Sequence, residues 1–281
     1  MVHGVWGWIK FAAVTAALAL TVGCATPPPA DDKEALAAYK EANDPLEPFN
    51  RSVLEFNRSL DRAVLRPVAE TYRTVVPGGV RDGVRNVLNN IRTPNILVND
   101  LLQGEARRAS ESARRLTLNT LTGAGGVIDV MGMDPGDGSE PVRYHGEDFG
   151  QTLAVWGVSE GPYLMLPLVG PSSPRAVAGK VGDIFLDPVS YVIPSGQRFY
   201  FSLSRFLATG VDKRSRTIEA IDEIERTSID FYVTIRSLYR QQRRAAILNG
   251  EGADMPAPDL SIDFEDDDEQ ELKALKTVRR N

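Results

Sequence analysis

Residues 148–173 read DFGQTLAVWGVSEGPYLMLPLVGPSS, and this stretch decides what kind of chain this is. Its first half opens with Asp148, a residue suited to capping a helix over 149–158, because its side-chain oxygen accepts the first free backbone N–H groups. Its second half, 161–171, is apolar but punctuated by Gly161, Pro162, Pro167, Gly170 and Pro171, and no regular helix survives that spacing. The run 161–174 is the longest uncharged stretch beyond residue 23, and four of its fourteen residues are proline. A membrane-spanning helix needs roughly 20 apolar residues without such interruptions. The body of the chain therefore holds no conventional transmembrane helix, and its apolar surface has to lie along the sides of amphipathic helices.

Outward from this segment the spacing is helical nearly throughout, and the fold class expected is all-α. Upstream, 123–138 (GAGGVIDVMGMDPGDG) is too glycine-rich for a helix. Before it, 105–121 puts Ala106, Ala109, Ala113 and Leu116 on one face and Arg107, Arg108, Arg114 and Arg115 on the other, an amphipathic helix whose basic side reads as solvated. Earlier still, Val53, Phe56, Leu60 and Val64 form a helix behind Pro45 and Pro48, and Pro67 starts a second short one with Val68, Tyr72 and Val75. A third runs through Val80, Val84, Val87 and Ile91 until Thr93 and Pro94 stop it, and a fourth short one through Leu97, Leu101 and Leu102 ends near Gly104. Downstream, 175–185 and 197–207 read as helices, the latter with Phe199, Leu203, Phe206 and Leu207 on one side; 199–204 (FYFSLS) also alternates as a strand would. The last element is the longest, with Ile218, Ile221, Ile224, Phe231 or Tyr232, Ile235 and Leu238 or Tyr239 tracing one apolar stripe over roughly 35 residues. Arg236, Arg240, Arg243 and Arg244 load its final turns, which suits the negative end of the helix dipole.

The two ends are of a different nature. Residues 11–22 (FAAVTAALALTV) are an apolar run behind Lys10, the size of an export-signal core, and residues 1–23 read as a signal peptide. Cys24, the single cysteine of the 281-residue chain, follows immediately, so no intramolecular disulfide or cysteine metal cluster exists. Residues 21–24 (TVGC) resemble a bacterial lipobox, with Thr21 standing where leucine is usual, and Cys24 is the expected lipidation site. Acyl chains there would hold the protein on a membrane, each buried CH₂ contributing roughly 0.8 kcal/mol. Ala25 rather than Asp after the cysteine favours the outer membrane, by resemblance to lipoprotein sorting. Residues 24–42 then form a tether, with ATPPPADD at 25–32 extended. From Glu251 onward ten acidic residues face four basic ones, and 251–281 reads as a disordered acidic tail.

The whole chain carries 32 Lys+Arg against 38 Asp+Glu, with a formal net charge of -6. With the acidic tail set aside the body is close to neutral, which argues against a nucleic-acid partner. A catalytic apparatus is also hard to find. His145 is the single histidine outside the signal, and there is no G-x-S-x-G elbow, H-E-x-x-H pair or Walker loop. Glu47, Glu140, Glu147, Asp148 and Glu160 are nominal members of a carboxylate pair, yet nothing in their spacing singles two of them out. The glycines at 123–126 lack the order of a nucleotide fingerprint. We expect no enzyme activity, no metal and no cofactor.

Several segments together resemble one family: 43–51 (NDPLEPFNR) followed by Phe56 and Asn57, 66–69 (RPVA), 98–104 (VNDLLQG), 119–129 (NTLTGAGGVID), 148–153 (DFGQTL), 156–163 (WGVSEGPY), Leu166 with Pro167, 170–173 (GPSS), and Asp187 with Pro188. In this order, over about 43–250, the chain resembles the MlaA/VacJ outer-membrane lipoproteins. The resemblance implies a ring-like arrangement of amphipathic helices lying in the membrane interface around a central channel. It implies trimeric outer-membrane porins and a periplasmic lipid-carrier protein as partners. The activity implied is removal of misplaced phospholipid from the outer leaflet for retrograde transport to the inner membrane, preserving lipid asymmetry from a lipid-anchored position on the periplasmic side.

Within that frame two sites are expected. Gly157 and Gly161 flank a short apolar hairpin able to move as a gate beside the channel, which makes Trp156, Gly157, Gly161, Pro162, Tyr163, Leu166, Pro167 and Gly170 the candidate gate, with Ser159 and Glu160 placing a carboxylate in the hairpin turn. The residues alone also describe a packed core loop with glycines for tight turns. The motif of Asn43, Asp44, Pro45, Phe49, Asn50 and Arg51 is implied to help set the state of the channel; its other reading is a helix-start turn with Phe49 in the core.

Overall fold

The computed structural model describes residues 42–249 apart from 137–139, with isolated positions between 28 and 39. Expectations for the signal, Cys24, most of the tether and the acidic tail fall outside the described residues. The described chain is helical with one small hairpin. Helix α1 (Glu47–Leu60) passes through a π-helical turn (Asp61–Leu65) into α2 (Arg66–Val75) without a break. Pro67 was expected to start a new helix. Instead the wider turn ahead of it, closed by Arg66 N–H to Asp61 O, absorbs the missing donor and the bulk of the ring.

The same correction applies to Pro94. The two helices expected on either side of it are one, α3 (Gly78–Gln103), with Pro94 inside. Pro94 leaves the Asn90 carbonyl without its helical donor, and next to it Thr93 Oγ1 donates to the Asn89 carbonyl at 3.0 Å. Gly104, with φ +81, then ends the helix. Helix α4 (Ala106–Leu121) follows, then a 3₁₀ turn (Val130–Gly132), and α5 (Phe149–Val155), capped by Asp148 as expected but ended sooner, at Trp156 and Gly157. Strands β1 (Leu164–Leu166) and β2 (Gly170–Ser172) pair antiparallel, with Met165 opposite Pro171.

Helices α6 (Pro174–Leu186), α7 (Val189–Val192), α8 (Arg198–Arg216), α9 (Ile218–Thr227) and α10 (Phe231–Ile247) complete the described chain. The segment 199–204 is helical, not a strand. The long final helix predicted from 218 is in fact α9 and α10, separated at 228–230. Asp230 causes the break, its side chain accepting from Tyr232 N and Val233 N as the cap of α10. Ion pairs then run α9 back along α1 and α2: Arg58 with Glu225, Arg66 with Asp222 at 2.8 Å and Arg73 with Glu219 at 2.5 Å.

Contacts link the elements in a closed circuit: α2 to α8, α8 to α3, α3 to α5, α5 to α10, α10 to β2, β2 to β1, and β1 back to α1. The apolar cluster, Val53, Leu54, Tyr163, Met165 and Tyr232, sits where α1, β1 and α10 meet. No helix among the described residues is long and apolar enough to cross a membrane.

Candidate functional site

The two candidate sites are one structure. Asn43, Asn50 and Asn57 are seven residues apart; Asn50 and Asn57 lie two helical turns apart on α1, Asn43 sits in the turn before it with φ +42, and all three bond to the hairpin segment. Asn43 Nδ2 donates to Gly161 O at 2.8 Å, and Tyr163 N donates to Asn43 O at 2.9 Å. Asn50 Nδ2 donates to Tyr163 O at 3.1 Å while its Oδ1 accepts from Met165 N at 2.9 Å. Asn57 repeats the pattern, donating to Leu166 O at 3.0 Å and accepting from Leu168 N at 2.9 Å. A primary amide carries a donor and an acceptor in the same sense as a peptide bond. The side-chain amides of Asn50 and Asn57, with the side-chain N–H and the backbone carbonyl of Asn43, thus stand in for a third strand along the free edge of β1. Asn57, absent from the expected site residues, completes the latch; the seven-residue repeat of asparagine is the signal that marks it.

Below the latch lies a network of charge. Asn50 Nδ2 also donates to Asp44 Oδ1 at 2.8 Å, the Tyr232 hydroxyl donates to Asp44 Oδ2, and Arg236 reaches the same carboxylate at 2.8 Å. Arg51 pairs with Glu47 at 2.8 Å and Asp230 at 2.7 Å, and stacks 4.4 Å above the Tyr232 ring. Burial, followed by the Asp44 carboxylate, pushes the Tyr232 and Tyr163 hydroxyls well above the usual phenol range. Pro45 lies in the turn that leads into α1, and Phe49 packs against the apolar cluster. The motif therefore clamps α10 to the hairpin. Arg244 lies in the last turn of α10, where the dipole reading placed it, but Arg236, Arg240 and Arg243 are ion pairs to other elements instead, with Arg240 also donating to Ala42 O at 2.7 Å and Arg243 gripping Asp148 at 2.5 and 2.6 Å. The Asp148 carboxyl, although burial opposes it, is held down at about 2 by Arg243.

The approach to the hairpin is polar and anchored. Gly157 and Gly161 both adopt left-handed φ, +88 and +77, and a Cβ at Gly161 would meet the Pro174 ring at 3.0 Å, whereas one at Gly157 would meet nothing within 4 Å. Glu160 was expected in the hairpin turn; it lies ahead of β1, 3.5 Å from Arg240, and the turn is the exposed run Pro167, Leu168 and Val169. Pro162 and Leu166 are half-buried, and Gly170 opens β2 with φ +87. Trp156 is 52% exposed; its indole donates to Leu102 O at 3.1 Å, and its ring meets Phe149 edge-on at 5.7 Å.

The interior behind this site is polar. Among the described residues, twenty buried side chains are polar or charged and ten are hydrophobic, while thirty large hydrophobic side chains are exposed. This inverts the distribution of an ordinary soluble protein. Helix α4 shows it locally. Its basic side, read as solvated, turns Arg108 and Arg115 inward with Ser112 and Asn119, and Leu118 and Leu121 lie outside. Arg115 binds Asp129 at 2.6 Å, and Arg108 binds Glu147 at 2.7 Å. Burial raises the pKa of Glu147 despite Gln103 and Arg108.

His145 Nε2 lies 3.2 Å from Ser112 Oγ and 3.2 Å from Asp100 Oδ2, and Ser112 donates to that same carboxylate at 2.7 Å. Serine and aspartate share one ring nitrogen and the serine proton goes to the aspartate, so the trio lacks the relay order of a hydrolase. Of the nominal acids, Glu47, Glu147, Asp148 and Glu160 are ion-paired and Glu140 is exposed. No metal-ligating cluster occurs among the described residues.

The family model described as MlaA lipoprotein matches residues 42–246. The chain belongs to the MlaA family. It is 34% identical over 245 residues to the intermembrane phospholipid transport system lipoprotein MlaA of Escherichia coli (strain K12), covering 86% of this chain and 90% of that one. The MlaA of Haemophilus influenzae is 32% identical over 242 residues, covering 85% and 90%. A solved structure described under "Structural basis for maintenance of bacterial outer membrane lipid asymmetry" superposes with a TM-score of 0.62 at 36% identity, covering 73% of this chain and 98% of its own. The matched span of this MlaA family member begins at the latch and ends with α10, so both candidate sites lie within it.

Proposed function

We propose that this protein moves phospholipid out of the outer leaflet of the outer membrane, without catalysis, and hands it to a periplasmic carrier for return to the inner membrane. The observation that carries the reading is the inverted distribution, apolar outside and polar within. A surface bearing Val181, Ile184, Phe185, Val192, Phe199, Phe206 and Leu207 belongs in hydrocarbon or against another apolar surface. A zwitterionic or anionic head group entering hydrocarbon bare costs several to tens of kcal/mol, and a polar interior gives it an alternative while its tails stay in lipid. The closed circuit of helix contacts supports a ring around that path.

The names of the relatives support the cargo, phospholipid, and the solved structural neighbour, described in terms of outer-membrane lipid asymmetry, supports maintenance of that asymmetry as the outcome. Acylation at Cys24 would fix the ring at the periplasmic side of the outer membrane, where the apolar belt also offers a seat against a trimeric porin. In this reading the latched hairpin is the gate, and Gly157 and Gly161 are its hinges.

The test is outer-leaflet phospholipid in intact cells lacking the protein, set against cells with the wild type and with Cys24→Ala. Accumulation in the null strain, reversed by wild type and not by Cys24→Ala, is expected. Unchanged outer-leaflet lipid in the null strain would overturn the proposal.

A further inference from the structure

Most charges around the α3–α6 contact are matched, but Arg92 and Lys180 are not. Asp148 is bound by Arg243, Asp187 by Arg205 at 2.7 Å, and Asp183 accepts from Asn95, Asn99 and the Phe149 N–H. Arg92 on α3 and Lys180 on α6 sit among these acids, yet neither makes a hydrogen bond or ion pair among the described residues. Their positions follow from the α3–α6 contact. Asn95 and Asp183 join the two helices at 3.0 Å, and Arg92 and Lys180 each precede that contact by three residues, about one turn, on its own helix. Gly179 packs directly on α5, where a Cβ would lie 2.3 Å from Gly150 N, and this holds the neighbouring Lys180 close to the start of α5.

Lys180 is open to solvent, but desolvation by the surrounding protein is the largest influence on its ammonium and pushes its pKa down; Asp148 and Asp183 oppose this, and Arg243 and Arg92 add to it. Tyr144 is the strongest electrostatic neighbour of Arg92, and its hydroxyl is buried with no hydrogen-bond partner. A buried donor left unmatched costs roughly 1–3 kcal/mol, and this one stands beside two cations that feel Asp148 and Asp183 through space but hydrogen-bond to neither.

We infer that Arg92, Lys180 and the Tyr144 hydroxyl form a phosphate station within the polar interior, which receives the phosphodiester of a phospholipid head group in transit. The guanidinium offers a planar fork to two phosphate oxygens, the ammonium a movable point charge, and the phenol one further donor. The identity of the ligand rests on the transport reading; a free phosphate would offer the same oxygens and no tails.

The experiment measures acylation of Lys180 by an amine-directed reagent in the purified full-length protein in neutral detergent micelles, read by peptide mass spectrometry, with exposed Lys213 as the internal reference. Phosphatidylglycerol, diacylglycerol and inorganic phosphate are the three additives. Phosphatidylglycerol is expected to slow Lys180 labelling about tenfold at about ten times its dissociation constant, with Lys213 unchanged, and Arg92→Gln with Tyr144→Phe is expected to abolish the protection. Equal protection by diacylglycerol, or by inorganic phosphate at the same concentration, or none by phosphatidylglycerol, would overturn the inference. In cells, Arg92→Gln with Lys180→Gln is expected to leave outer-leaflet phospholipid high, and Arg92→Lys with Lys180→Arg to lower it. If the null strain accumulates lipid and the double glutamine variant clears it fully, the transport reading stands and the phosphate station falls.

Discussion

Asn50 and Met165, separated by 115 residues in sequence, are joined by a buried hydrogen bond of 2.9 Å from the Met165 N–H to the Asn50 amide oxygen. Asn50 is fully buried and its nitrogen is engaged as well, by Tyr163 O and Asp44. Replacing it by leucine strands a strand N–H, a strand carbonyl and a carboxylate oxygen. Asn50→Leu should therefore cost about 2–4 kcal/mol, and Asn57→Leu, at a half-buried position, about half as much. Thermal unfolding in detergent, with limited proteolysis at the hairpin, checks the order; equal midpoints for wild type and Asn50→Leu would remove the latch from the account.

Gly157 and Gly161 separate backbone strain from crowding. Both need left-handed φ, which costs a residue bearing Cβ roughly 1–2 kcal/mol, but Gly161→Ala also meets the Pro174 ring. Gly161→Ala should be the less stable of the two. If the segment is a gate, both should impair lipid removal, and Gly157→Ala should do so with nearly wild-type stability. A Gly157→Ala variant that keeps outer-leaflet phospholipid at wild-type levels would argue for a static loop.

The Asp148–Arg243 pair sets an acid limit. The folded carboxyl, at about 2, lies below its unfolded value, so the stabilisation is fully present above about pH 4 and is lost as pH falls through about 2, a difference of roughly 2 kcal/mol. Glu147 and Asp183, whose pKa values burial raises, act in the opposite sense, relieving strain as they protonate. Asp148→Asn should flatten the fall in stability between about pH 4 and pH 2.5. Denaturant midpoints at the two pH values are the readout.

From Cys24 onward Trp156 is the single tryptophan, half-exposed near the hairpin. Phospholipids brominated along their tails should quench its fluorescence in reconstituted membranes. No quenching would lift this segment out of hydrocarbon.

His145→Ala should leave lipid removal intact, because His145 shares its one engaged nitrogen between Ser112 and Asp100 and has no relay to drive. Outer-leaflet phospholipid in cells carrying this variant is the measure, and loss of function with a preserved fold would favour a hydrolase.

Local chemistry made much of this legible in advance. The cap at Asp148, the stop at Gly104 and the apolar hairpin after Gly161 follow from residue type and spacing. Pro67 and Pro94 misled because a proline can be carried within a helix, behind a π turn at Pro67 and in mid-helix at Pro94, and periodicity does not register either. The stripe through α9 and α10 concealed a break made by Asp230, whose cap competes locally with continued helix. Above all, amphipathic spacing shows that a helix has two faces without saying which faces inward. Arg107 and Arg114 are exposed as a basic face usually is, but Arg108 and Arg115 turn inward beside the buried Ala109, while Leu118 and Leu121 lie outside. The join between the N-terminal motif and the hairpin lies beyond any local pattern, since it pairs residues over a hundred positions apart.

The polar interior also bears on how the fold responds to temperature. The heat capacity of unfolding rises with apolar surface newly hydrated and falls with polar surface. Opening this protein in detergent would expose mainly amides, hydroxyls and ion pairs, while the outer valines, leucines and phenylalanines keep their apolar neighbours throughout. Its stability curve should be shallow for a chain of this length, with cold weakening it little.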